Sequence, residues 1–255
     1  MIKKTLATLL AAPLLLTAAL QPVAAQEEVT VETAPIDVRD LASLQAGART
    51  FVNYCLSCHS AALMRYNQML DIGLTADQIR DNLMFTAQKI GEPMAVAMTK
   101  SEAKEWFGAA PPDLSVIARS RGADWLYTYL RSFYRDPSRA TGWNNAVFPN
   151  VGMPHVLWQL QGERIRREEP VMRDGKPVEE DGRPLMRVSY ETVKPGTQTP
   201  EQYDRTVRDL VNFLVWMGEP HQLERKRIGI IVLFVLSVLA LLTYMLKREF
   251  WKDVH

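Results

Sequence analysis

The feature that most constrains this chain is Cys55-Leu56-Ser57-Cys58-His59, which contains both of its cysteines. Two thiols in CxxC spacing, with a histidine directly after the second, form the attachment pattern of a c-type haem. The two sulfurs bond the two vinyl groups, and the adjacent imidazole becomes the proximal iron ligand. The fold must therefore close around a flat, largely apolar ring at this point. Two other readings compete. A CxxC redox pair needs only the thiols. A zinc site needs further Cys or His ligands, and none lies close in sequence. The histidine favours one haem c, bound covalently through Cys55 and Cys58, and thioether bonds leave no thiol for a disulfide. The expected function is electron transfer.

The second axial ligand is less constrained. His221 and His255 lie at and beyond the foot of a C-terminal apolar segment, whereas His155 could reach a haem. Met64, Met69, Met84, Met94 and Met98 fall on helical or amphipathic stretches, where a methionine ordinarily fills core gaps. Met153 differs, because it stands in Pro149-Asn150-Val151-Gly152-Met153-Pro154. Gly152 lets backbone approach a ring closely, and Pro154 stiffens an extended chain. Met153 leads as ligand and His155 stays open. Arg119 and Arg121 are candidates to meet the haem propionates, against the plain reading of two exposed arginines at a helix end.

Both ends of the chain are apolar. Lys3-Lys4, an uncharged run to Leu20 and the small residues at 23–25 have the form of a secretory signal peptide over residues 1–25. Residues 228–246 carry no charge, and at about 1.5 Å per residue they span roughly 28 Å, the thickness of a bilayer core. Basic residues flank that run on both sides, so the positive-inside rule does not orient it. The signal peptide does. Residues 26–220 are expected to form a periplasmic haem domain, residues 221–248 a single-pass anchor in the inner membrane, and residues 249–255 a cytoplasmic tail. Thirty basic against twenty-nine acidic residues leave no excess positive charge for a nucleic-acid partner.

Between the ends, helical periodicity begins at Leu41, with Leu44, Ala48, Phe51, Val52 and Cys55 on one face. Gly47 lies inside this helix, where glycine costs about 1 kcal/mol, a sign of close packing. Residues 75–83 predict a helix capped by Thr75 and Gln78. Residues 101–107 predict another, capped by Ser101. Asp113 is expected to cap a short helix reaching Arg119. Residues 122–134 predict the strongest helix of the middle region, and residues 141–154 a loop. Residues 164–194 are a charged surface excursion with Asp-Gly turns at 174–175 and 181–182 and a hairpin involving residues 185–190. Residues 201–218 form an amphipathic helix.

On Asn53-Tyr54-Cys55-Leu56-Ser57-Cys58-His59-Ser60, Met64-Arg65-Tyr66, Trp106 through Pro111-Pro112-Asp113-Leu114-Ser115, the Phe148 to His155 loop, Asp209 to Leu214 before Glu219-Pro220, and the terminal anchor, the chain resembles the cytochrome c1 family in its proteobacterial form. That family supplies the c-type haem subunit of the cytochrome bc1 complex, a ubiquinol:cytochrome c oxidoreductase. The resemblance implies a mainly α, cytochrome c-like haem domain with surface insertions and one C-terminal transmembrane helix. It implies His59 and Met153 as axial ligands, and Arg121, with Arg119 nearby, at the propionates. The helix from Leu41 should cross the late helix at Gly47. The implied partners are cytochrome b, a Rieske iron–sulfur subunit as electron donor and cytochrome c as acceptor, in a dimeric complex. The chain is then a redox relay with no substrate pocket of its own. The acids Glu168, Glu169, Glu179, Glu180 and Asp181 are candidates to steer a basic acceptor. A free-standing membrane-anchored shuttle, or the haem subunit of a dehydrogenase, is the alternative.

Overall fold

The computed structural model describes residues 29–173, 175–180 and 182–253. The expected signal peptide, the aspartates of both Asp-Gly turns and His255 lie outside the described residues. In chain order the elements are α1 (Leu41–Tyr54), β1 (Ala61–Arg65), a 3-10 segment (Tyr66–Ile72), α2 (Ala76–Asn82), β2 (Pro93–Met94), α3 (Lys100–Phe107), α4 (Ile117–Arg121), α5 (Ala123–Arg131), β3 (Phe133–Arg135), β4 (Trp143–Asn145), α6 (Trp158–Gln161) and β5 (Gly162–Pro170). Four short strands follow: β6 (Met172–Arg173), β7 (Lys176–Pro177), β8 (Glu179–Glu180) and β9 (Arg183–Pro184). Then come β10 (Met186–Pro195), α7 (Pro200–Gly218) and α8 (Gln222–Phe250).

The centre of the fold is the crossing of α1 and α7. Asp40 starts α1 by accepting the Ser43 backbone N–H at 3.0 Å. Thr199 starts α7 in a capping box with Gln202, and Pro200 follows with its preset φ. The two helices bury Leu44, Ala48, Phe51, Val207, Leu210, Val211 and Phe213 in one core. Gly47 sits at the contact: a Cβ there would stand 2.0 Å from the Asp209 carbonyl oxygen and 2.7 Å from Phe213 Cβ. Polar groups fix the register beside it. Ser43 Oγ donates to Asp209 Oδ1 at 2.7 Å, and Asn212 Nδ2 donates to the Asp37 carbonyl at 2.7 Å.

Several boundaries differ from the sequence expectation. α3 is capped by Thr99, which forms a box with Glu102, rather than by Ser101. Asp113 does not cap α4, whose N-cap Val116 has no side-chain bond. The helix expected over 122–134 ends at Arg131, and Phe133 to Arg135 enter a four-stranded sheet of order β10-β5-β3-β4. Trp143 to Asn145, read as loop, form an edge strand of that sheet. The expected hairpin is real but longer, with β5 and β10 pairing from Met186↔Pro170 to Pro195↔Gly162. Helix covers 46% and strand 18% of the described residues, so the mainly α description fits the helices around the site and understates the sheet.

Among the described residues, α8 is the one helix long and apolar enough to cross a membrane, with a mean hydropathy of 2.7 over its most apolar stretch. None of that stretch is buried inside the molecule, so it is not a core helix of this chain.

Candidate haem site

The attachment motif continues directly from α1. Cys55 closes the helix with its N–H on the Phe51 carbonyl, and the backbone N–H groups of Cys58 and His59 both bond the Cys55 carbonyl, at 3.1 and 2.9 Å. This one extra turn presents both sulfurs and the imidazole to the same cavity. Burial, with Cys58 nearby, pushes the Cys55 thiol up to about 12, and neither cysteine is in a disulfide.

The imidazole is oriented by the Pro-Pro-Asp turn. His59 Nδ1 lies 2.7 Å from the Pro112 carbonyl oxygen. A carbonyl only accepts, so the proton is on Nδ1 and the Nε2 lone pair is free. This is the arrangement that iron-ligating and other metal-ligating histidines share, the second nitrogen tied to a fixed acceptor. Burial also lowers the His59 pKa, against the opposing pull of the Pro112 bond and Asp113, and so favours the neutral ligand form. The turn is itself tied to the segment after the motif. Asp113 accepts the N–H groups of Ala62 at 2.9 Å and Ser115 at 2.8 Å, and Leu114 N–H bonds the Ser60 carbonyl at 2.8 Å. Asp113 therefore serves the histidine's cradle instead of capping a helix.

The cavity measures about 600 Å³, within the span of cofactor sites. Its walls are mostly apolar: the 109–112 segment, Leu126 and Leu130 of α5, Leu210 and Leu214 of α7, Phe148 and Val151. Cys55, Cys58, His59, Met153 and Arg121 all line it. An apolar slot with two thiols, a free imidazole nitrogen and a thioether matches the donor set of a c-type haem.

Met153 and His155 stand in different surroundings. Met153 lines the cavity, and its sulfur accepts a hydrogen bond from Tyr129 Oη at 3.3 Å. His155 does not line it. Its ring is stacked on Phe133 at 4.8 Å and set edge-on to Trp143 at 5.1 Å, and burial pushes its pKa down to about 3. Met64, Met69 and Met94 are core residues, as their helical or amphipathic settings suggested. The two arginines part as well. The Arg121 guanidinium stands 5.2 Å from the centre of the Trp125 ring at the cavity wall. Arg119 is not on the wall, and its stem lies against Gly218.

Sequence reasoning missed the residues that build the Met153 loop. Asn145 is fully buried. It donates to the Tyr129 carbonyl at 2.8 Å and accepts from the N–H groups of Val147 and Phe148 at 2.9 and 3.0 Å. Asn144 accepts from Asn150 N–H at 2.8 Å and donates to Asp136 at 2.8 Å. Asn150 has φ 64°, the left-handed region that asparagine tolerates best after glycine. Three asparagines in ten residues were the available signal.

The fold, the cavity and the exposed terminal helix together fit a haem-binding protein with a membrane anchor. Residues 92–254 match the model of the Cytochrome C1 family. The chain is 49% identical to cytochrome c1 of Allochromatium vinosum over 226 residues, 88% of this chain and 90% of that one. It is 52% identical over 229 residues to a Nitrosomonas europaea protein named ammonia monooxygenase gamma subunit, covering 90% of this chain and 91% of the other. It is 27% identical over 238 residues to the mitochondrial cytochrome c1 haem protein of Schizosaccharomyces pombe, covering 84% and 68%. The chain belongs to the cytochrome c1 family.

Proposed function

We propose that this chain carries one haem c, joined covalently through Cys55 and Cys58, with His59 and Met153 as axial ligands and Arg121 at a propionate. As a family member the chain is the electron-transfer subunit of the cytochrome bc1 complex. The observation that carries the site reading is the His59 Nδ1–Pro112 bond, which leaves Nε2 free inside a cavity that also holds both thiols and the Met153 sulfur. When bound, the haem supplies one-electron exchange at iron. The residues of this chain do the rest. His59 and Met153 would both ligate the iron, which would disfavour gas binding and give a higher potential than two histidines do. The apolar wall excludes water, and Arg121, an exposed residue on the cavity wall, would offset propionate charge.

The donor in this reading is a Rieske iron–sulfur subunit and the acceptor a cytochrome c, with ubiquinol oxidised in a partner alongside cytochrome b. The haem domain faces the periplasm, α8 crosses the inner membrane once, and the C-terminus is cytoplasmic. The assembled complex is dimeric. The acids proposed to steer an acceptor are interleaved with bases: Glu168 is ion-paired with Arg166, and Glu169 lies opposite Arg187 in the hairpin. Pairs this exposed contribute little net field.

Extraction in mild detergent tests the assignment. The chain is expected to copurify with a b-type cytochrome and an iron–sulfur protein, and its haem to be reduced by ubiquinol in that preparation. Release of the haem protein alone contradicts this and favours the free-standing shuttle. Copurification with a dehydrogenase or a monooxygenase contradicts it in favour of those assemblies.

A further inference from the structure

Tyr129 is the one residue that reaches the Met153 sulfur from the protein side with a hydrogen-bond donor among the bonds of the described residues. It stands on α5, 8% exposed, and its position is fixed from three directions. Its ring stacks on Trp125 at 4.7 Å and 10°, meets Phe133 edge-on at 5.1 Å, and its carbonyl is held by Asn145 Nδ2 at 2.8 Å. A buried phenol needs a partner, and the partner here is Met153 Sδ at 3.3 Å.

A thioether sulfur has two lone pairs and is a weak acceptor. A donor fixed on one of them restrains the rotation of a long, flexible side chain and leaves the other lone pair for a metal. A thioether so restrained keeps harder ligands off the iron, and such ligands favour the ferric over the ferrous state more than a thioether does. Outer hydrogen bonds to axial ligands are an established lever on both ligand retention and potential.

We propose that Tyr129 is the positioning residue for Met153: its hydroxyl holds the thioether in place, slows its displacement from iron and raises the reduction potential of the site. The proposal rests on Met153 being the ligand. Arg121 over Trp125, and Trp125 on Tyr129, place the propionate arginine and the ligand's donor on one aromatic stack.

The test is Tyr129→Phe in the purified, detergent-extracted complex, which removes the hydroxyl and keeps the ring. Three readouts are the weak Met–iron absorption band of the ferric protein, the dissociation constant of imidazole from ferric haem, and the midpoint potential. Tyr129→Phe is expected to bind imidazole about fivefold more tightly. Its one-electron redox constant should shift about threefold toward the oxidised form, which at 59 mV per tenfold is about 28 mV downward. Phe133→Leu loosens the ring packing but keeps the hydroxyl, and should leave both values near wild type. Unchanged imidazole binding and potential in Tyr129→Phe overturn the proposal. Equal shifts in Phe133→Leu overturn it too, because packing then suffices. A wild-type protein without the Met–iron band overturns the Met153 assignment itself, a distinct result from a band that is present and indifferent to Tyr129.

Discussion

Met153→Leu is expected to keep its covalent haem and lose the Met–iron band. The reduced protein should then bind carbon monoxide at neutral pH, and the potential should fall by roughly 0.1–0.3 V, a part of the about 0.8 V range that axial ligation spans. The reasoning is local. Leucine nearly matches methionine in volume, so the change should cost less than about 1.5 kcal/mol of packing. Asn144 and Asn145 hold the loop through its backbone, and those bonds do not involve the Met153 side chain. What disappears is the sulfur, and nothing on this wall of the cavity replaces it: His155, the nearest histidine in sequence, is stacked on Phe133. A Met153→Leu protein that keeps the band and the potential shows that another group ligates the iron.

Gly47→Ala is predicted to be strongly damaging. The added carbon would lie 2.0 Å from a backbone oxygen of α7, and backbone in the middle of a packed helix has no free path away. Overpacking of this kind costs about 1–3 kcal/mol, and the upper end applies where the obstacle is backbone. Separating α1 from α7 also strains Ser43–Asp209 and Asn212–Asp37, and shifts Leu210 and Leu214, which wall the cavity. Thermal unfolding of the extracted protein should show a fall of several degrees, with haem content reduced. Gly91→Ala is the control: a Cβ there meets nothing within 4 Å, and its effect should stay within about 0.5 kcal/mol. Equal melting temperatures for Gly47→Ala and wild type contradict the crossing as described.

These two positions also mark what could be read from the chain. α1, α2, α7 and α8 were legible because each combines a periodic or continuous apolar pattern with a recognisable boundary, such as Thr75 with Gln78. The Met153 loop was legible by its Gly and Pro, and Gly47 by its cost inside a helix. Elsewhere, local signals misled. Residues 122–134 carry one helical pattern, yet Phe133 and Tyr134 leave it because tertiary pairing with β4 and β5 outweighs helix periodicity at its end. Asp113 has the chemistry of a helix cap, but its carboxylate is taken by Ala62, a residue fifty-one positions away. Burial contends with those bonds, and the bonds prevail, so its pKa sits below the usual carboxylate range. Long-range partners of that kind, including Pro112 for His59 and Tyr129 for Met153, leave no periodic trace in sequence. Arg119 and Arg121 are two residues apart on α4, a spacing that points them to different sides. Only the fold shows which one faces the cavity.

Everything proposed for this site depends on a covalent haem at Cys55 and Cys58. Its most direct measurement is mass analysis of the tryptic fragment 50–65 from the mature, membrane-extracted protein, which contains both cysteines and His59. This fragment is expected to carry the mass of one haem on two thioether bonds, resistant to acid-acetone extraction. Recovery of the fragment with two free thiols, or with a Cys55–Cys58 disulfide, contradicts it.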